Sequence, residues 1–180
     1  MSNCILAEGA NCRLRKLVRN DFDWFWEHQN IGKWTKYDAP WEESFSLEEY
    51  EKHFNSLIEN TEKGKISRTV IEMLNGEKIG TVNRYAVVNN NESAKIGIDI
   101  YIDEYMNKGY GKEALGIWIN YLICEERFHR IGLDTYSFNS SMIKVALNCN
   151  MKLEGIEREI RKWENEWIDL YHFGLISRNK

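Results

Sequence analysis

The sequence is poor in proline, with one in 180 residues. It also has no serine- and glycine-rich run, so no linker or low-complexity tail is expected. Cys4, Cys12, Cys124 and Cys149 form no C-x-x-C pair, which argues against zinc and disulfides and for reduced thiols. His28, His53, His129 and His172 are scattered without ligand spacing, so no metal site is expected. No apolar stretch reaches membrane-spanning length. The first ten residues lack a basic segment followed by an apolar run, so no secretory signal is expected either. Basic charge is not in excess: 24 Lys and Arg against 28 Asp and Glu give a net charge of −4. That argues against a general nucleic-acid binder and suits a cationic substrate. The expectation is one cytoplasmic domain over residues 1–180, with a sizeable core.

The pattern is most regular at residues 94–123. Ile96, Ile98, Ile100 and Ile102 fall on one face, and Lys95, Gly97, Asp99 and Tyr101 on the other, as in a half-buried strand. Lys108-Gly109-Tyr110-Gly111-Lys112 follows. Leu115, Ile119 and Leu122 then take up helical spacing. A glycine loop between strand and helix has a physical use. The first N–H groups of a helix lack internal partners, and the helix dipole adds positive charge there. Gly109 and Gly111 remove the Cβ atoms that would hold a ligand off the backbone, and Lys108 and Lys112 add cations. Together they suit a phosphate or pyrophosphate.

Several readings of this loop compete. A Walker A loop fails, because Met106 stands where its first glycine belongs and Glu113 replaces the Ser or Thr. Gly109, Gly111 and Ala114 match a dinucleotide fingerprint, with Asp134 as the ribose-binding acid. There, however, the strand should run straight into the first glycine, and residues 103–108 intervene. A glycine turn that binds nothing is the third reading.

Along the chain, residues 13–18 alternate as a first strand. Asn20 or Asp21 can cap a helix carrying Phe22, Phe25, Trp26 and Gln29. An irregular aromatic stretch ends near Phe45. Ser46 to Glu49 is a capping box, opening a helix with Leu47, Tyr50, Phe54 and Leu57 inward. Residues 67–73 and 78–85 read as strands joined through Asn75-Gly76. Residues 89–91 form a turn into the isoleucine strand. After the glycine loop and its helix come a strand at 130–137, a helix capped by Asn139, and strands near 152–161 and 167–175. A strand-helix-strand crossover of this length implies parallel pairing, with the helix covering the isoleucines.

Met106-Asn107-Lys108-Gly109-Tyr110-Gly111, followed by an apolar helix, resembles the acyl-CoA loop of the GNAT superfamily of N-acetyltransferases. It is similar in particular to the branch resembling RimJ/RimL. Met106 departs from the Arg or Gln that opens the family motif. Cys149-Asn150-Met151 departs from a Leu-Gly-Phe of that branch, while Lys152-Leu153-Glu154-Gly155 and the Trp167…Asp169…Tyr171 ending agree with it. The element order is that of the GNAT fold over almost the whole chain. The resemblance implies an α/β (α+β) domain: a mixed, mostly antiparallel seven-stranded sheet, one parallel crossover, and helices on both faces.

The resemblance also implies a site. Acetyl-CoA would be the co-substrate, its pantetheine arm lying along Ile100, Tyr101 and Ile102. Asn107, Lys108, Gly109, Tyr110, Gly111 and Lys112 would hold its pyrophosphate. Asn139 would lie near the pantetheine and Lys144 near the adenosine phosphate. Amine acetylation needs alignment and a proton acceptor, with no metal and no covalent nucleophile. Asp99 is the candidate base, with a salt bridge to Lys95 as its alternative role; Glu72 is a lesser candidate. The usual donor Tyr would align with Ala146 and is absent. Ser141 can replace it or simply cap the helix, and Tyr136 and Tyr110 are fallbacks. Trp34, Tyr37, Asp38 and Trp41 fall in the segment that roofs the acceptor site in the family. They suit an alkylammonium, or else are core aromatics.

Two functions follow. One is an acyl-CoA-dependent N-acyltransferase acting on a small-molecule amine or a protein N-terminus by direct attack in a ternary complex. The other is a catalytically silent CoA- or dinucleotide-binding module. The acceptor's identity and the oligomeric state, a homodimer included, stay open.

Overall fold

The computed structural model describes residues 4–87 and 90–178. Its sheet has eight strands, in the order β1-β2-β3-β4-β5-β6-β8-β7. They are β1 (Ile5–Glu8), β2 (Cys12–Lys16), β3 (Arg68–Met73), β4 (Lys78–Val87), β5 (Asn90–Ile100), β6 (Arg130–Tyr136), β7 (Lys152–Trp163) and β8 (Glu166–Ile176). The helices are α1 (Phe22–His28), α2 (Leu47–Glu62), α3 (Tyr110–Cys124) and α4 (Ser140–Asn148). The strand beyond the expected seven is β1. Four residues carry no alternation, and pairing with β2 makes them a strand. Every pairing is antiparallel except β5 with β6, the expected crossover through α3.

Two apolar clusters lie on opposite faces. Val70 and Ile71 are neighbours on β3, and both are fully buried. Ile71 joins Leu14, Val82, Ile96 and Leu133 under Leu115 and Trp118 of α3 and Ala146 of α4. Val70 joins Phe25 of α1, Tyr50, Phe54 and Ile58 of α2, and Tyr101. The isoleucine face of β5 packs on the α3 side, as its alternation requires.

Local signals fare unevenly. The capping box forms: Ser46 Oγ accepts from Glu49 N at 3.4 Å, and Glu49 Oε2 accepts from Ser46 N at 2.9 Å. The inward stripe of α2 is Tyr50, Phe54, Ile58 and Thr61, whereas Leu47 is 52% exposed. Leu47 sits in the first turn, ahead of that stripe. Gly76 has φ +92°, and Met73 N donates to Glu77 O at 2.8 Å, closing the expected hairpin. The turn expected at residues 89–91 differs, since Asn90 and Asn91 already belong to β5 and Asn89 lies outside the described residues. Strand β5 ends at Ile100, two residues before the end of the isoleucine alternation. Asn150 has φ +61° just after α4, a left-handed position that asparagine tolerates. Among the described residues no helix is long and apolar enough to cross a membrane.

Candidate active site

The site arises where the parallel pair comes apart. β5 and β6 are in register at Ser93↔Arg130, Ala94↔Ile131 and Lys95↔Gly132, and then stop pairing. Beyond that point β5 stays with β4 as far as Ile100, and β6 stays with β8 as far as Tyr136. Their facing edges line a cavity of about 480 Å³. Tyr101 N donates to Ile79 O of the β4 side at 2.8 Å. By alternation, Ile98 and Ile100 therefore turn their backbone groups toward the cavity. Of the three residues expected to offer backbone groups, Ile100 lines the cavity. Tyr101 buries its ring among Phe25, Trp24 and Trp34, and Ile102 lies outside the lining.

The glycine loop stands at the mouth. A one-turn 3-10 segment (Asp103–Tyr105) separates it from β5, which excludes a strand running straight into the glycines. Asn107 has φ +58°, and Gly109 has φ +94° as the N-cap of α3. The first bond of the helical ladder runs from Glu113 N to Gly109 O at 3.1 Å. The amides of Tyr110, Gly111 and Lys112 precede it. A Cβ at Gly109 would have no heavy atom within 4 Å, so the approach to these amides is open. Asn107, Gly109, Gly111 and Lys112 line the cavity, whereas Lys108 and Tyr110 do not; Tyr110 packs on Tyr105. The geometry fits a pyrophosphate group. Glu113 fixes the first turn from behind by accepting from Asn11 N at 2.7 Å and Asn11 Nδ2 at 2.8 Å.

Helix α4 supplies the opposite wall. Asn139 caps it, accepting from Met142 N at 3.0 Å. Ser141 Oγ instead bonds Asn107 Oδ1 at 3.1 Å, so Ser141 ties the helix to the loop and does not cap it. Asn139, Ser141 and Lys144 all face the cavity.

Asp99 lies on the β5 wall, half-buried. Burial, reinforced by the charge of Asp38, pushes its carboxyl up to about 7; Arg68 and a hydrogen bond from Asn83 oppose the rise. Asp38 also lines the cavity, and burial together with Glu42 raises its carboxyl too. Lys95 does not pair with Asp99. Its ammonium bonds Asp134, which the parallel register of β5 and β6 brings alongside it. Glu72 stands apart from the cavity: Arg13 and Arg15 both bond its carboxylate and hold it below the usual range despite its burial.

The expected roof divides. Tyr37 and Asp38 reach the cavity. Trp34 borders it but is only 9% exposed and packs on Tyr101 with centroids 4.6 Å apart. Trp41 is outside the lining. It anchors the segment to the far end of the sheet, edge-on to Tyr136 at 4.8 Å and Trp163 at 5.4 Å, under the Arg161 guanidinium at 4.5 Å. Tyr136 lines the cavity as well. Three of the four histidines have structural partners: His28 stacks on Trp24, His53 on Phe45, and His172 sits between Asp134 and Glu157. Asn83, Arg68 and Tyr85 carry no local sequence signal as site residues. Only the cross-strand register, Asn83↔Gly97 and Arg68↔Asn83, brings them to Asp99.

A sheet wedged open beside a helix N-terminus, with a titratable acid on its wall, can seat a phosphate-bearing group next to a proton acceptor. The acetyltransferase (GNAT) domain profile matches residues 11–152, and the chain belongs to this family, whose acyl donor is acetyl-CoA. It is 26% identical over 167 residues to the uncharacterized N-acetyltransferase p20 of Bacillus licheniformis, covering 92% of each chain. Among solved structures it resembles spermidine N-acetyltransferase from Vibrio cholerae in complex with CoA and spermine. The TM-score is 0.77 at 22% identity, over 92% of this chain and 95% of that one. It equally resembles RimL, a ribosomal L7/L12 alpha-N-protein acetyltransferase in complex with CoA. That TM-score is 0.77 at 20% identity, over 96% and 97% of the two chains.

Proposed function

We propose that this chain transfers the acyl group of acetyl-CoA to a primary amine that arrives as a cation. The observation that carries the reading is Asp99, an acid held near neutrality in the wedge between β5 and β6. The donor supplies an activated carbonyl carbon. The amides at Tyr110, Gly111 and Lys112 receive its pyrophosphate, with Asn107 and Gly109 shaping the loop. Lys144 lies on the same cavity to meet a further phosphate, and the backbone of Ile100 is available to an extended arm.

Asp99 takes the ammonium proton and so leaves a nucleophilic lone pair. Its raised pKa suits this exchange at neutral pH. Ser141 faces the same cavity and serves as donor to the departing thiolate once its hydroxyl leaves Asn107 Oδ1, to which it donates at 3.1 Å. Tyr37 and Asp38 draw the cation inward by ring face and carboxylate. Both structural neighbours act on amines by their names, one on spermidine and one on a protein α-amine, which supports an amine acceptor. The RimJ/RimL-like placement is part of this proposal, as is a small amine or a protein N-terminus as partner. The four unpaired cysteines support a reducing, cytoplasmic setting.

The test is thiol release from acetyl-CoA with a panel of amines: spermidine, amino sugars, amino-acid amides and N-terminal peptides. Turnover with any of them supports the reading. Tight CoA binding without turnover across the panel favours a silent binding module. Thermal stabilisation by NAD and none by CoA favours the dinucleotide alternative.

A further inference from the structure

Behind the candidate base lies a chain of donors that runs across three strands. Arg68 Nε donates to Asn83 Oδ1 at 2.6 Å, and Asn83 Nδ2 donates to Asp99 Oδ2 at 3.4 Å. The order is chemically fixed. A guanidinium nitrogen can only donate, so the Asn83 atom facing it must be the oxygen. The amide NH₂ is thereby turned toward Asp99. Asn83 is buried at 3% exposure, and its main chain is held by Trp118 Nε1 donating to its carbonyl at 3.1 Å. The nearby Thr81 hydroxyl donates to Thr69 O at 2.7 Å and stands 3.5 Å from Asn83 Oδ1, so the Arg68 bond at 2.6 Å dominates at that oxygen.

Arg68 differs from its neighbours on the sheet. Arg13 and Arg15 are each paired directly with carboxylates. Among the described residues Arg68 has no carboxylate within ion-pair distance, so its charge reaches the acids only through Asn83 and through space. The groups that face Asp99 are Asn83 and Tyr85 from β4, Arg68 from β3, and Asp38 from the roof with Glu42 behind it. Tyr101 faces it from its own strand, and Tyr50 of α2 lies beyond Tyr101.

We propose that Arg68 and Asn83 are positioning residues for Asp99: the guanidinium fixes which way the Asn83 amide faces, and the amide holds the Asp99 carboxylate in place at the cavity wall. The proposal rests on Asp99 being the base, and it adds how that base is tuned. Burial and Asp38 push its pKa up, while Arg68 and Asn83 pull it down. Without them a larger share of the carboxyl would be protonated at neutral pH, the form that cannot accept a proton.

The test pairs a direct titration with kinetics. The Asp99 side-chain carbon, labelled with ¹³C, is titrated by NMR in the wild-type chain and in Asn83→Leu, Arg68→Gln and Arg68→Lys. The ascending limb of kcat/KM is recorded for the same proteins. Asn83→Leu and Arg68→Gln should each raise the Asp99 midpoint by about one pH unit, and the kinetic limb should move with it. Arg68→Lys keeps the charge and should return both toward wild type. Arg68 is partly exposed, so Arg68→Gln remains informative if the buried Asn83→Leu fails to fold. An unmoved midpoint, or a rate that falls equally at every pH, overturns the positioning pair and leaves the base assignment standing. A moved midpoint with an unmoved kinetic limb overturns the base assignment, and the catalytic purpose of the pair with it.

Discussion

A Cβ placed on Gly80 would lie 2.0 Å from the carbonyl oxygen of Asp99. β4 and β5 approach so closely there that only glycine fits, and this contact sets the backbone carrying the candidate base. Gly80→Ala should therefore push β5 outward and displace Asp99. The overpacking is expected to destabilise the fold by about 1–3 kcal/mol. It should lower kcat by at least tenfold while acetyl-CoA still binds, because a small misplacement of a reacting group is costly. Melting curves and steady-state kinetics on the one variant check both; unchanged kcat would detach Gly80 from the site.

The loop gives a second expectation. Gly109 has φ +94°, so Gly109→Val strains the backbone at the N-terminus of α3 even though the space around it is open. Gly111→Val has ordinary backbone geometry and meets Ile100 Cγ1 at 3.8 Å. Both should raise the KM for acetyl-CoA by about tenfold or more as amide contacts to the pyrophosphate are lost. Gly109→Val should also lower the melting temperature more than Gly111→Val does. Unchanged acetyl-CoA affinity in folded variants would reduce the loop to a turn.

Acid sensitivity follows from a different cluster. Asp21 is 2% exposed, paired with Arg15 through both oxygens at 2.8 Å, with Val18 N at 3.0 Å and Lys78 at 3.3 Å. Burial works against its charge, but these partners prevail and hold its pKa below the ordinary value, as Arg15 and Arg13 do for Glu72. A depressed carboxylate stabilises the fold above its unfolded pKa, about 4, and that stability is lost as pH falls through the folded value. The melting temperature should hold at neutral pH and fall steeply below about pH 4. Asp21→Asn should cost about 1–3 kcal/mol at neutral pH, because Arg15 loses its two-oxygen partner while keeping Glu72, and the deficit should narrow in acid. Asp99 runs the other way. Its raised pKa makes ionisation destabilising, so Asp99→Asn should melt above wild type at about pH 8 and show no gain at about pH 4.

The roof separates into contact and anchor. Trp34 belongs to the second core, so Trp34→Ala is expected to cost about 3–5 kcal/mol and to confuse binding with folding. Tyr37 is 39% exposed and faces the cavity. Tyr37→Ala should raise the KM of the amine more than that of acetyl-CoA. Trp41→Ala should affect the amine as well, by releasing the segment from Tyr136 and Trp163, and should shorten its protection from proteolysis. Equal effects on both substrates would make the aromatics mere packing.

What was legible in the sequence follows the range of the forces involved. Alternation along Ile96, Ile98 and Ile100 demands one buried face, so it fixed both the strand and the side on which Asp99 would stand. The Ser46 box and Asn75-Gly76 are held by bonds within a few residues, and they form as read. β1 was invisible because Ile5–Glu8 becomes a strand only by pairing with β2. Arg68 and Asn83 went unseen because their role depends on the register of β3, β4 and β5, which no local pattern encodes. The sequence places Lys95 beside Asp99 along its own strand, but the parallel neighbour offers Asp134. Trp41 carries no periodicity that could tell an anchor from a substrate contact.

The central claim is that Asp99 receives the proton of a cationic amine. The most direct measurement is kcat/KM for that amine against pH, at saturating acetyl-CoA, in wild type and in Asp99→Asn. Wild type should rise through about pH 7, where Asp99 ionises. Asp99→Asn should lose that limb and about 10²-fold in rate, while acetyl-CoA binding stays intact and the amine's own limb at higher pH remains. A variant with the wild-type rate and the same ascending limb would contradict the account and remove Asp99 from the reaction.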